Sequence, residues 1–438
     1  MKDTKTQTNS TTSSSLEKAG LGHLKIATAG SVDDGKSTLI GRLLYDTKSL
    51  TDDKLEAIQE KSKQRGFDYL DFSLATDGLV AEREQGITID VAHIYFSTRK
   101  KSFIIADTPG HIEYTRNMVT GASTAQASIV LIDARNGVVE QTYRHFFINN
   151  LLRIKDVVIA INKMDLVNFS EEKYNIIKGE IEYLASKSEY KNQNLTFIPL
   201  SALEGDNVVT PSKNMPWYKG ETLLHHLERL DAEDINEVSQ TRFPVQTVIR
   251  PKTEEHHDFR GYAGKIYGGD FEVGDQVAVL PSQTKSTIKS IHFFNEEFTR
   301  AKSGSSVTIT LNDNVNVSRG DMLVKIDEEP TITKQLNATI CWMDKEPLQA
   351  SQKYYIKHGV NDAQAKITQL NTIIKTDFSG KIENPSALEL NQIGDIQLKL
   401  SKPLLVDAYN KNKSNGAFIL INPKTNNTVG VGFIKSPL

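Results

Sequence analysis

The chain has 438 residues, 38% hydrophobic and 24% charged, with a formal net charge of -3; this supports several buried cores and counts against a strongly basic protein that wraps nucleic acid. A single cysteine, Cys341, excludes an internal disulfide, fits a reducing cytosol and reads as a small buried hydrophobe. No apolar run approaches the roughly 20 residues that span a bilayer, and residues 1–20, polar and Ser/Thr-rich, lack the apolar stretch of a signal peptide, so they read as a disordered tail on a cytoplasmic protein.

From Leu24 to about Leu230, strand-like and helix-like segments alternate. LKIATAG (24–30) is an apolar run closed by glycine, and a helical pattern follows over Lys36–Tyr45. SFIIAD (102–107), SIVLID (128–133), VVIAIN (157–162) and FIPLSA (197–202) are short Ile/Val-rich runs, the pattern of strands buried on both faces of a parallel sheet. Helical patterns such as 140–152 and 171–187 lie between them, so right-handed crossovers and a doubly wound α/β domain are expected over residues 21–235. Near Thr241 the texture changes to closely spaced strands: FPVQTVIR, GYAGKIY, DQVAVLP, STIKSI, SVTITL and DMLVKI. A pause at Glu328-Glu329-Pro330 is followed by LNATICWM, KYYIKHG, AKITQLN, DIQLKL, AFILIN and TVGVGFI. The expected fold is an α/β P-loop domain with a mostly parallel sheet, followed by two all-β barrel domains at 241–328 and 330–438.

The first chemical motif is Gly30-Ser31-Val32-Asp33-Asp34-Gly35-Lys36-Ser37, which fits G-x-x-x-x-G-K-[ST] between a predicted strand and a predicted helix that continues with Thr38. Its glycines let backbone N–H groups close around phosphate oxygens, and the helix N-terminus adds positive potential. Lys36 is placed to reach the β- and γ-phosphates and Ser37 to ligate Mg2+. Asn162-Lys163-Met164-Asp165 ends the run VVIAIN, and its Asp165 carboxylate can accept from both guanine N1–H and the 2-amino group, donors adenine lacks. Ser201-Ala202-Leu203 closes the next run, where a backbone N–H could meet guanine O6. The nucleotide implied is GTP.

Asp107-Thr108-Pro109-Gly110-His111 ends SFIIAD. Asp107 stands as a second-motif aspartate near Mg2+, and Gly110 can donate its N–H to a γ-phosphate oxygen. Thr88, in Glu82-Arg83-Glu84-Gln85-Gly86-Ile87-Thr88, is the natural second protein ligand for Mg2+ once the γ-phosphate orders that loop. Spacing alone leaves His111 open between orienting the attacking water and a surface histidine. His145, His225-His226 and His256-His257 show no zinc-like spacing and read as structural or solvated. Asp133 reads as a strand-end and turn residue, and nothing favours Arg116 or Arg135 reaching phosphate over facing solvent.

With these motifs in this order, the chain resembles the translation-factor GTPases; EREQGITID and DTPGH carry that likeness, and two β-domains after the GTPase domain fit it. Within that superfamily, GSVDDGKSTLIGRLLYD (30–46), DGLVAEREQGITIDVAHIYFST (77–98), FIIADTPGHIEYTRNMVTGAS (103–123), LIDARNGVVEQTYRHFFINNLL (131–152) and FRGYAGKIYGGDFEVGDQVAVLPS (259–282) resemble the large subunit of bacterial sulfate adenylyltransferase. VDDGKS stands where elongation factors typically have VDHGKT. The resemblance runs from about Leu24 to the C-terminus, and is weaker beyond about residue 325.

The resemblance implies a separate small catalytic subunit as partner, which joins ATP and sulfate into adenosine 5′-phosphosulfate and pyrophosphate while this chain hydrolyses GTP. It carries Lys36, Ser37, Thr88, Asp107, His111, Asn162, Lys163 and Asp165 onto the roles given above, and implies neither membrane nor nucleic acid as partner. Some relatives continue into an adenylylsulfate kinase domain; this chain stops at Leu438, so that kinase is expected to be absent. The competing reading is a carrier of aminoacyl-tRNA, against which the pI near 6.4 and the VDDGKS loop both count.

Overall fold

Alternating apolar strands and amphipathic helices build the first half of the chain, and closely spaced strands the second. The computed structural model describes residues 23–64, 70–75, 91–108, 115–231, 240–251, 259–294 and 296–437; the expected tail at residues 1–20 lies outside them. Two compact units emerge, Met1–Glu233 and Asp234–Leu438.

The first unit runs β1 (Leu24–Ala29), α1 (Lys36–Asp46), α2 (Asp52–Gln64), β2 (Ala92–Ser97), β3 (Ser102–Asp107), α3 (Thr115–Ala122), β4 (Ala127–Asp133), α4 (Glu140–Leu151), β5 (Asp156–Asn162), α5 (Glu171–Lys187), β6 (Asn194–Pro199) and α6 (Leu223–Arg229). The helices start where the sequence supplies caps. Ser170 accepts from the Lys173 N–H at 3.3 Å ahead of α5, whose first turn carries Glu171 and Glu172 and whose last carries Lys187, all favourable to the helix dipole. Thr222 accepts from the His225 N–H ahead of α6. The strands are ordered β2-β3-β1-β4-β5-β6. All pairings are parallel except the edge pair β2–β3. Every residue of β4 is buried, as expected of a strand covered on both faces.

This order sets the position of the site. β1 pairs with β3 on one side and β4 on the other, so the chain reverses its direction of build at β1. In an open α/β sheet the crevice beyond the strand C-termini at such a reversal is where ligands bind. One boundary differs from the sequence expectation: FIPLSA is strand only as far as Pro199. The Leu200 N–H still reaches the Ile161 carbonyl at 2.8 Å, but the Ser201 N–H turns to Asp206 within its own loop, and that turn lifts residues 201–203 off the sheet.

The second unit holds two antiparallel barrels, each closed by six strands. In the first, the ring runs through 276–280, 322–325, 243–249, 261–265, 306–311 and 284–293 and back to 276–280. In the second it runs through 353–358, 417–421, 428–437, 331–342, 393–406 and 361–374 and back to 353–358. Alternate residues fill each interior: Phe243, Tyr262, Val277, Val279 and Ile309 in one, Leu336, Ile340, Trp342, Ile396 and Leu398 in the other. Three strands of the second barrel are longer than their sequence runs, at 12, 14 and 14 residues. Register shifts at Thr333/Gln335 and Ile367/Gln369 break their alternation, so a period-two pattern registers only the stretches between bulges. Cys341 is buried, as read.

The barrels are joined by apolar packing of Ala278, Leu280, Met322 and Val324 around Leu405, and by a buried arginine. Arg242 has 0% exposure. It grips both oxygens of Asp407 at 2.8 and 2.9 Å, and donates also to the Thr241 and Glu328 carbonyls and to Gln240 Oε1. Asn415 Nδ2 adds a 2.7 Å bond to Asp407. A buried pair is stable only when its remaining polar atoms are met, and removing one partner strands the other charge. Asp407→Ala is therefore expected to cost the second unit about 3–5 kcal/mol, seen as a lowered urea midpoint; an unchanged midpoint would remove this ion pair as the joint.

Candidate GTP-binding site

Five segments converge at the C-terminal edge of the sheet, one after each of β1, β3, β4, β5 and β6. The loop after β1 turns on Asp33 and Gly35, both left-handed at φ 68 and 92. Lys36 opens α1 with only 7% of its surface exposed, and its Nζ donates back to the Gly30 and Ser31 carbonyls at 2.7 and 3.0 Å. Burial lowers the Lys36 pKa, while Asp107, Asp34 and Asp33 pull it the other way. Asp34 accepts from the Ser31 N–H at 2.6 Å, and burial nevertheless raises its pKa. Ser31 Oγ is buried and has no protein partner among the described residues. Ser37 and Thr38 follow in the first turn of α1, both half-buried, and Val32 is exposed.

Asp107 closes β3 with 2% exposure and accepts from the Thr28 hydroxyl at 3.0 Å, which places a carboxylate beside the phosphate loop. After β5, Asn162 is the hub. Its Nδ2 donates to the Asp34 carbonyl at 2.8 Å and its Oδ1 accepts from the Ala202 N–H at 2.9 Å. One carboxamide thus ties the loops after β1, β5 and β6 together. Lys163, left-handed at φ 63, donates from Nζ to the Asp33 carbonyl. Asp165 lies on the short turn Met164–Val167, partly exposed. Of the three amides expected near the base, that of Ser201 goes to Asp206 and that of Ala202 to Asn162. The Leu203 N–H is the one with no protein partner among the described residues. Thr88, Gly110 and His111 lie outside the described residues.

With that geometry in view, the likenesses to known proteins are specific. Residues 21–240 match the elongation factor Tu GTP binding domain and residues 335–435 the GTP-eEF1A C-terminal domain-like family. Sulfate adenylyltransferase subunit 1 of Bacteroides fragilis is 49% identical over 94% of this chain and 85% of its own length. The bifunctional enzyme CysN/CysC of Mycobacterium tuberculosis is 48% identical over 94% of this chain and 67% of its own. The chain belongs to the sulfate adenylyltransferase subunit 1 family. A solved structure of sup35 complexed with GMPPNP is matched over 97% of each chain at 21% identity, with a TM-score of 0.43.

Several supports of the subunit 1 site escape motif reading. Asp133, taken from sequence as a turn residue, ends β4 with 2% exposure and binds two cations. Arg135 forks onto it, with Nη2 at 2.6 Å from Oδ2 and Nε at 3.0 Å from Oδ1, and Lys163 Nζ stands 3.0 Å from Oδ2. Burial would raise the Asp133 pKa, but hydrogen bonds from Arg135 and Lys163 outweigh it and hold it at about 2. Asp133 closes β4 in register with Asn162 of β5. Arg42 on α1 donates to the Leu203 carbonyl at 3.1 Å. Asn207 binds the Pro199 carbonyl and the Ser212 N–H, bracing the loop after β6. Arg42 and Asn207 carry no motif. His145 is structural: it is buried on α4, and burial lowers its pKa to about 3.

The donor set fits Mg2+. A serine hydroxyl and a carboxylate are hard oxygen ligands, and no cluster of three or more His, Cys, Asp or Glu side chains that could hold an ion exists among the described residues. A cation here would rest on Ser37, Asp107 and substrate oxygens.

The hub also explains Gly35. A Cβ there would stand 2.5 Å from Asn162 Nδ2, at a φ that L-residues adopt only under strain. Gly35→Ala is expected to weaken GTP binding about tenfold by displacing Asn162 from Asp34, at 1–3 kcal/mol of strain by order of magnitude, roughly; titration with a fluorescent GTP analogue measures it, and wild-type affinity would contradict the close contact.

Proposed function

We propose that this chain binds GTP with Mg2+ in the crevice beyond β1 and hydrolyses it as one subunit of a sulfate adenylyltransferase, with a separate small subunit forming adenosine 5′-phosphosulfate and pyrophosphate from ATP and sulfate. The observation that carries the site is the Asn162 bridge, because it sets a phosphate-binding loop and a guanine-reading turn at one place. Residues 30–38 would wrap the phosphates with their N–H groups, and Lys36 would meet the β- and γ-phosphates. The buried Ser31 hydroxyl suits a phosphate oxygen. Asp165 would accept from guanine N1–H and the 2-amino group, and the Leu203 N–H would donate to O6. Ser37, Thr88 and Asp107 would hold the Mg2+, which supplies neutralisation of phosphate charge. Gly110 would donate to the γ-phosphate, and His111 would orient the attacking water.

The division into 21–235, 241–328 and 330–438 belongs to the same reading: one GTP-binding domain followed by two β-barrel domains. Among the described residues no helix is long and apolar enough to cross a membrane, and a cytoplasmic site of action is part of the proposal.

The deciding experiment assays GTP hydrolysis and adenosine 5′-phosphosulfate together, with the chain and a small subunit from a related two-chain enzyme. Product formation should need both chains and rise with GTP. A GTPase that ignores the small subunit and sulfate but responds to charged tRNA would overturn the coupling. In the same assay His111→Ala should lower GTP turnover at least tenfold, by order of magnitude roughly, while leaving GTP affinity near wild type, as befits a role confined to the transition state; an unchanged turnover number takes His111 out of the mechanism.

A further inference from the structure

We propose that Asp133 is a positioning residue for nucleotide binding, fixing Lys163 so that the guanine-reading turn stays pressed against the phosphate loop. This rests on the GTP-binding reading above and extends it to a residue outside every motif.

The geometry separates this role from that of an ordinary turn. One oxygen of Asp133 serves the turn, accepting from the Arg135 N–H at 2.9 Å. An asparagine would do the same. Oδ2 takes Lys163 Nζ at 3.0 Å and Arg135 Nη2 at 2.6 Å, which only a carboxylate can hold together. Lys163 is fixed at both ends. Its backbone is in the left-handed region, and its ammonium bridges the Asp133 carboxylate and the Asp33 carbonyl. A lysine side chain has considerable rotamer freedom to lose. Asp133 holds that freedom suppressed before any ligand arrives, so nucleotide binding need not do so. The carboxylate sits at the end of β4, in register with Asn162, so the anchor is part of the sheet itself. Arg135 leaves two cations on one carboxylate, and it acts electrostatically on Asp165 and Asp33 as well as Asp133.

The test is a double-mutant cycle on the full chain: wild type, Asp133→Asn, Lys163→Ala and the pair. GTP affinity is measured by equilibrium titration, and turnover with the small subunit present. Asp133→Asn keeps the turn hydrogen bond and removes the charge. It should weaken GTP binding about tenfold, as expected for loss of a charge-assisted contact, with the turnover number at saturating GTP within about twofold of wild type. The pair should bind no worse than Lys163→Ala alone, because both changes break one linkage. Wild-type affinity in Asp133→Asn overturns the inference. So does a pair whose loss is the product of the two single losses, since Asp133 would then act by another route. If Asp133→Asn does not fold, Asp133→Ser, which also offers the turn an oxygen acceptor and removes the charge, takes its place in the cycle under the same two criteria. An unaltered chain that binds no GTP would overturn the functional reading itself, and the inference with it.

Discussion

Both ends of the Asn162 carboxamide are committed, the nitrogen to the Asp34 carbonyl and the oxygen to the Ala202 amide. A buried amide of this kind is costly to leave half-satisfied, so the three loops it touches have one low-energy arrangement. The rest of the site is built around that constraint. Gly35 has no side chain because the carboxamide occupies the space a Cβ would need. The residues after Pro199 leave the sheet so that an amide can face Asn162. Lys163, next in the chain, takes a left-handed backbone and donates to the Asp33 carbonyl of the loop after β1. The sheet supplies the frame, since β1, β4 and β5 are adjacent and parallel and deliver these loops to one edge.

How much of this was legible in the residues depends on what encodes it. The sheet was, because Ile/Val runs such as VVIAIN leave little choice but a strand covered on both faces. The places of the loop at Asp33 and Gly35 and of the turn at Met164–Val167 were, because each motif follows an apolar strand run. Where the Ala202 amide goes was not, because a backbone donor carries no residue code, and only the fold reveals that Asn162 claims it. Asp133 was read rightly as a strand-end and turn residue, but its bond to Lys163 was not legible, because that partner is thirty positions away in sequence. Arg42 acts through a carbonyl of a distant loop, and Asn207 through a carbonyl and an amide near its own position, contacts that any long or amide-bearing side chain could make. The long, bulged strands of the second barrel were underestimated because a register shift erases the alternation on which strand reading depends.

Electrostatics and packing serve different ends in the two units. Around the loop after β1, Lys36, Asp34 and Asp133 are buried charges whose partners include backbone carbonyls or amides. In the barrels the buried charge, Arg242, is matched in full by Asp407, two carbonyls and a glutamine oxygen, leaving nothing for a ligand.

That cohesion has a mechanical meaning. Gln240 and Thr241, the residues by which the backbone enters the barrels, are themselves members of the Arg242 network, as are Glu328 at the joint and Asp407 in the far barrel. A pull along the chain at Gln240 is therefore divided at once between two load-bearing walls, each a closed ring without a free edge to unzip.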